Sequence, residues 1–120
     1  MIYSDKIIKL YQQANLKPLF ECGDGVKKYC YGDESSGLYI IFQTKYNNGL
    51  ISDCRYKIMG CGYAIALCVW LEQQLINQPT TKLKLLELKD LIDEFDLPQT
   101  KHKVAIAILD IYQRVLNSNA

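Results

Sequence analysis

Residues 38–62 read LYIIFQTKYNNGLISDCRYKIMGCG, and the architecture follows from them. Residues 38–45 (LYIIFQTK) are rich in aromatic and β-branched side chains, which suit a half-buried pleated surface. Asn47-Asn48-Gly49 then supplies residues that tolerate positive φ, a strong local signal for a hairpin. The return run, residues 50–58, alternates: Cys54, Tyr56 and Ile58 share one face, and Asp53, Arg55 and Lys57 share the other. An antiparallel hairpin with one buried face is predicted, with Cys54 pointing inward. Gly60-Cys61-Gly62 ends the stretch as a flexible corner.

Downstream, a helix begins near Ala64, with Ala64, Leu67/Cys68, Leu71 and Leu75 on one stripe, so Cys61 sits just before its N-terminus. Thr80-Thr81 opens a polar-to-helical segment that ends at Asp96-Leu97-Pro98. A last helix runs from about His102, with Val104, Ala107/Ile108, Ile111 and Val115 inward. Upstream, Ser4 is placed to cap a short helix carrying Ile7, Ile8 and Tyr11, and Pro18 ends that pattern. Residues 21–37 are dense in Gly, Asp and Ser and read as loop. Two strands alone are marginal, however, so residues 22–33 are expected to supply a third.

This order predicts an α+β fold: a small antiparallel sheet of about three strands with helices packed on one face. The expected core comprises Ile7, Tyr11, Ile40, Phe42, Cys54, Tyr56, Leu67, Leu71, Ile108 and Ile111. At 120 residues, 49% hydrophobic and 22% charged, the chain reads as a single globular domain, residues 1–120. A formal charge of +1 leaves no broad cationic footprint, so nucleic acid is not an expected partner. The longest apolar run, residues 63–71, falls far short of the roughly 20 residues of a membrane span. The N-terminus has no apolar stretch with a cleavage site, which points to the cytoplasm. In that reducing compartment the five cysteines are expected to be free, buried or metal-binding rather than paired.

Cys61 is the leading chemical candidate. Its flanking glycines leave the sulfur accessible, and the start of a helix favours a thiolate, the form that binds metals or attacks sulfur. The competing role is a small residue in a tight corner. Cys22-Gly23-Asp24 and Cys30-Tyr31-Gly32-Asp33 each set a thiol and a carboxylate on a glycine-containing loop that could ligate zinc or iron. Against that stand ordinary loops with Asx turns, and neither has paired CxxC spacing. His102, the only histidine, lies between two lysines and is otherwise a solvated residue. Cys54 and Cys68 lie on apolar stripes and read as core. No phosphate loop, nucleophile elbow, HExxH or dinucleotide fingerprint is present.

Four segments resemble the IscU/NifU N-terminal family, the scaffold proteins of iron–sulfur cluster assembly. Tyr3-Ser4-Asp5-Lys6-Ile7-Ile8 through Tyr11 looks like the family's opening helix. Gly49-Leu50-Ile51-Ser52-Asp53-Cys54-Arg55-Tyr56-Lys57 resembles its G-I-I-x-D-x-R-F-x strand. Gly60-Cys61-Gly62-Tyr63-Ala64-Ile65-Ala66 is similar to its G-C-x-x-A/S-I-A/S signature, the most specific of the four. Asp96-Leu97-Pro98-Gln99-Thr100-Lys101 with His102 looks like its L-P-P-V-K-x-H-C region.

The resemblance implies an α+β fold and a site where three cysteines and an aspartate, with a histidine nearby, hold a transient [2Fe–2S] cluster or zinc. Carried over residue by residue, the implied metal set is Cys61, Asp33, Cys30 and His102, with Cys30 one residue away from its motif position. Cys22 and Asp24 form an alternative, because Cys22-Gly23-Asp24 spells the family's first motif farther upstream. The third cysteine is missing, since Lys103 and Val104 follow His102. Such a Cys/Asp/His set suits zinc better than a stable low-potential cluster. Leu97, Pro98 and Lys101 fall in the family's partner-recognition segment, where Gln99 and Thr100 replace proline and valine. The implied partners are a cysteine desulfurase or other assembly components. The implied role is non-enzymatic: a divergent scaffold, or a homologue without cluster that serves as an interaction or sulfur-accepting module.

Overall fold

The computed structural model describes residues 3–79 and 83–118. A first helix, α1 (Asp5–Gln12), leads into three strands, β1 (Val26–Asp33), β2 (Leu38–Asn47) and β3 (Leu50–Met59). Three helices follow: α2 (Gly62–Leu75), α3 (Leu88–Phe95) and α4 (His102–Asn117). The sheet is antiparallel in the order β1-β2-β3, with helices on one face, as the sequence predicts.

The Asn48-Gly49 tip has φ of 55° and 80°, the two positive values that a tight hairpin requires. Ile40 and Phe42 on β2 face the helices, flanked by Tyr31 and Tyr29 on β1 and by Ile58 and Tyr56 on β3. A bulge at Ser52, where the register shifts between Lys45 and Tyr46, lets both Ile51 and Cys54 face the core despite their odd spacing.

The expected third strand is present, but the loop reading of residues 21–37 needs correction over Val26–Asp33. There Tyr29 is buried against Phe42, while the polar residues occupy an edge strand that composition alone disguises. Beyond it, Glu34–Ser36 form one 3-10 turn. Cys30 points to the opposite face of the sheet from Tyr29 and lies in the row of Ile41 and Lys57. On that outer face the Phe20 amide donates to Gln43 Oε1 at 2.6 Å, and Gln43 Nε2 donates to the Phe20 carbonyl at 3.0 Å. These bonds satisfy a glutamine that is only 4% exposed.

α2 is the central helix. It is apolar around most of its circumference because it meets the sheet, α1 and α4 together, burying Ala64, Leu67, Cys68, Leu71 and Leu75. Nine of the ten expected core residues are buried; Tyr11 is not, with half its surface exposed. α1 buries only Ile7 and Leu10, and Tyr11 falls just outside that narrow stripe. α3 begins at Leu88, where Glu87 and Asp90 form a reciprocal cap, and the expected start at Thr80-Thr81 lies outside the described residues. Trp70 fills the space between α3 and α4, with ring centroids 5.8 Å from Phe95 and 6.2 Å from Tyr112. Among the described residues, no helix is long and apolar enough to cross a membrane.

Candidate functional site

The ends of β1 and β3, the start of β2 and the start of α2 meet at one end of the sheet. Asp33 pairs with Leu38, Tyr39 pairs with Met59, and Gly60 and Cys61 follow directly. Cys61 is the N-cap residue of α2 with extended backbone, and its carbonyl accepts from the Ala64 amide at 3.0 Å. No side chain caps this helix, so the Gly62 and Tyr63 amides stay available beside a partly exposed sulfur.

Asp33 is an exposed carboxylate already in use. Its Oδ1 accepts from the Ser35 hydroxyl and from the Ser36 amide, each at 2.8 Å. Bonding by the Ser35 hydroxyl, then by the Ser36 amide, holds its carboxyl below the usual carboxylate range. An aspartate followed three residues later by a serine is the sequence signal of this Asp33–Ser36 capping pattern.

The segment ahead of α4 borders the same end, since the Lys101 and Asp96 charges act on Tyr63, two residues past Cys61. His102 Nε2 donates to the Leu97 carbonyl at 3.3 Å, which folds the ring back onto its own turn and leaves Nδ1 without that bond. Leu97 is buried, Pro98 and Lys101 are half-buried, and Lys103 is exposed. On the other side of the corner, α1 and Gly62 line a groove of about 430 Å³ with Tyr3, Ile7, Ile8, Tyr11 and Gln12. The exposure of Tyr11 has its structural counterpart there.

The remaining candidates lie elsewhere. Cys30 sits three residues before Asp33 with its side chain on the outer face, and its carbonyl accepts from Arg114 Nη1 at 2.8 Å. Cys22 and Asp24, both exposed, precede the start of β1, where the Gly25 carbonyl accepts from the Tyr46 amide near the hairpin tip. Eight residues of strand, about 26 Å, therefore separate their end of the sheet from that of Cys61. Cys54 and Cys68 are core, as expected. Burial first, then the charge of Glu72, pushes both thiols up, and Asp53 adds to this at Cys54, so both stay neutral.

A four-donor cage therefore does not fit the described arrangement. Among the described residues no three His, Cys, Asp or Glu side chains gather as a metal site. The arrangement presents one accessible thiol beside free helix amides, flanked by a hydrogen-bonded carboxylate turn and a histidine turn.

Comparison with known proteins places this geometry in a family. The family model described as NifU-like N terminal domain matches residues 2–117. The iron-sulfur cluster assembly scaffold protein IscU of Escherichia coli strain K12 is 29% identical over 112 residues, covering 92% of this chain and 88% of that protein. The protein of the same name from Aquifex aeolicus is 30% identical over 102 residues, 82% of this chain and 64% of its own length. That of Buchnera aphidicola subsp. Schizaphis graminum is 25% identical over 119 residues, 98% and 93% of the two chains. With the family match running through nearly every element described above, the chain belongs to the NifU-like N-terminal domain family.

Proposed function

We propose that the protein acts in iron–sulfur cluster assembly as a divergent scaffold whose working group is the Cys61 thiol. Sulfur and iron, as a transient [2Fe–2S] unit, or zinc in their place, are its cargo rather than a resident cofactor. A cysteine desulfurase or another assembly component supplies that cargo, and the Leu97, Pro98 and Lys101 turn belongs to the partner-binding surface. The protein turns over no small-molecule substrate on its own. The observation that carries this reading is the position of Cys61, a partly exposed thiol at the uncapped N-terminus of the central helix. The placement of the Asp33 and His102 turns at the same end supports it.

The test is anaerobic reconstitution with a cysteine desulfurase, cysteine and ferrous iron, followed by separation and assay of iron, sulfide and zinc on wild type and Cys61→Ala. Retention by wild type and loss in the variant is expected. Equal retention by both, or by neither, overturns the cargo-holding role.

A second reading, a module that binds its partner without holding cargo, is favoured by one observation: Asp33 Oδ1 and His102 Nε2 are each bonded within their own turns. It predicts that Cys61→Ala binds the desulfurase as tightly as wild type while neither protein retains iron.

A further inference from the structure

The Asp53-x-Arg55 pair of β3 and the link between α1 and β1 take no part in the site described above. Residues 15–22 of that link form neither helix nor strand. They cross the outer face of the sheet, held at Phe20 by the two bonds of Gln43 and at Pro18 by Arg55, whose Nη1 donates to the Pro18 carbonyl at 3.0 Å. Gln43 and Arg55 are cross-strand partners on β2 and β3. Arg55 Nη2 also donates to Asp53 Oδ2 at 3.1 Å, and its guanidinium lies 4.4 Å from the centroid of the Phe20 ring. Lys45 presents its ammonium to the same ring at 5.4 Å.

All of these ties to the sheet come from the sheet's side chains. Among the described residues, no backbone hydrogen bond joins residues 15–22 to a strand. A groove of about 440 Å³ opens between Leu16, Pro18 and Leu19 and the edge of β3 at Tyr56 and Ile58, so the segment stands off that edge instead of pairing with it. None of residues 15–22 is buried. A segment with few backbone bonds and little buried apolar surface opens at low free energy, without the elements it touches. Opening here strands no polar group, since Gln43 and Arg55 then meet water, and it returns conformational freedom to the backbone. Gln43 lies on the outer face and is buried all the same, because this segment covers it.

We infer that residues 15–22 are a strap, latched by Gln43 and by the Asp53-braced Arg55, that opens as a unit while the sheet stays folded and so controls access to the middle of its outer face. Opening bares Gln43 and continues the surface already shared by Cys30, Ile41 and Lys57.

Hydrogen exchange followed by nuclear magnetic resonance on the whole protein, in increasing but sub-denaturing urea, tests this. The Phe20 amide, which is bonded to Gln43, is compared with the Ile40 and Phe42 amides of central strand β2 after correction for intrinsic rates. Phe20 is expected to exchange faster than both and with almost no dependence on urea, because little surface is exposed when the strap opens. Arg55→Ala should speed Phe20 exchange about tenfold, the effect of losing one charge-assisted bond, and leave Ile40 and Phe42 unchanged. A Phe20 amide with the rate and urea dependence of Ile40 and Phe42 in the wild type overturns the inference, as does an Arg55→Ala protein in which all three amides speed up equally.

Discussion

Leu38 Cδ1 lies 3.0 Å from the point where a Cβ on Gly60 would stand. The first residue of β2 thus fixes the corner that delivers Cys61 to the start of α2, and the glycine there makes room for a buried leucine. Gly60→Ala is expected to destabilise the protein by about 1 kcal/mol, since the obstructing atom is a methyl group able to shift slightly. Urea unfolding measures it, and an unchanged midpoint would show that the corner is looser than the packing indicates.

Gly32 is a stricter case. It has φ of 77°, and a Cβ there would collide with the Leu38 carbonyl, which is backbone and cannot swing away. Gly32→Ala should cost about 3 kcal/mol or more, combining positive-φ strain with displacement of the β1–β2 pairing. Thermal unfolding should rank it well below Gly60→Ala. The reverse ranking would contradict the register at this end of the sheet.

Ser4 joins the first helix to the third. Its Oγ accepts from the Ile7 amide at 3.4 Å and donates to the Phe95 carbonyl at 3.2 Å. Ser4→Ala removes both bonds, with an expected loss of about 1 kcal/mol typical of an N-cap. Hydrogen exchange should show the added opening concentrated in α1 and the end of α3.

Glu72 makes stability depend on pH in an unusual direction. Burial, then the charge of Asp53, raises its carboxyl above the ordinary value, and Lys17 and Arg55 only partly offset this. A carboxyl with a raised folded pKa destabilises the fold where it is ionised and ceases to do so as pH falls through that pKa. Glu72→Gln should therefore melt higher than wild type at pH 8, with the gap closing toward acid pH. A lower melting temperature for the variant at pH 8 would mean that its attraction to Lys17 and Arg55 outweighs burial.

Much of this arrangement was legible in the sequence because it depends on local periodicity. The hairpin, the position of Cys61 before α2 and the inward stripe of α4 all repeat at strand or helix spacing. Strand β1 was expected from the need for a third strand, but its lysines and glycine masked its bounds, since an edge strand needs only one buried side chain, Tyr29, to join the sheet. Tyr11 looked like core because helical spacing does not reveal how wide a stripe the neighbouring elements cover. The family motifs pointed to Cys61 and to both flanking turns. Whether Asp33, Cys30 and His102 converge on Cys61 depends on strand register, which motif spacing does not encode.

Cys61 is half-buried at one end of the sheet, whereas Cys22 is exposed at the other, so the chain carries its own control for simple accessibility. Incubation with a cysteine desulfurase and cysteine, followed by peptide-level mass spectrometry, locates any transferred sulfur. Attack by the Cys61 thiolate on the outer sulfur of the enzyme's persulfide would leave a persulfide on Cys61 and release the enzyme's thiolate. A persulfide on Cys61 with Cys22 unmodified is the predicted result. Sulfur appearing first on Cys22, in order of exposure, would contradict the assignment of the Gly60-Cys61-Gly62 corner as the working end of the molecule.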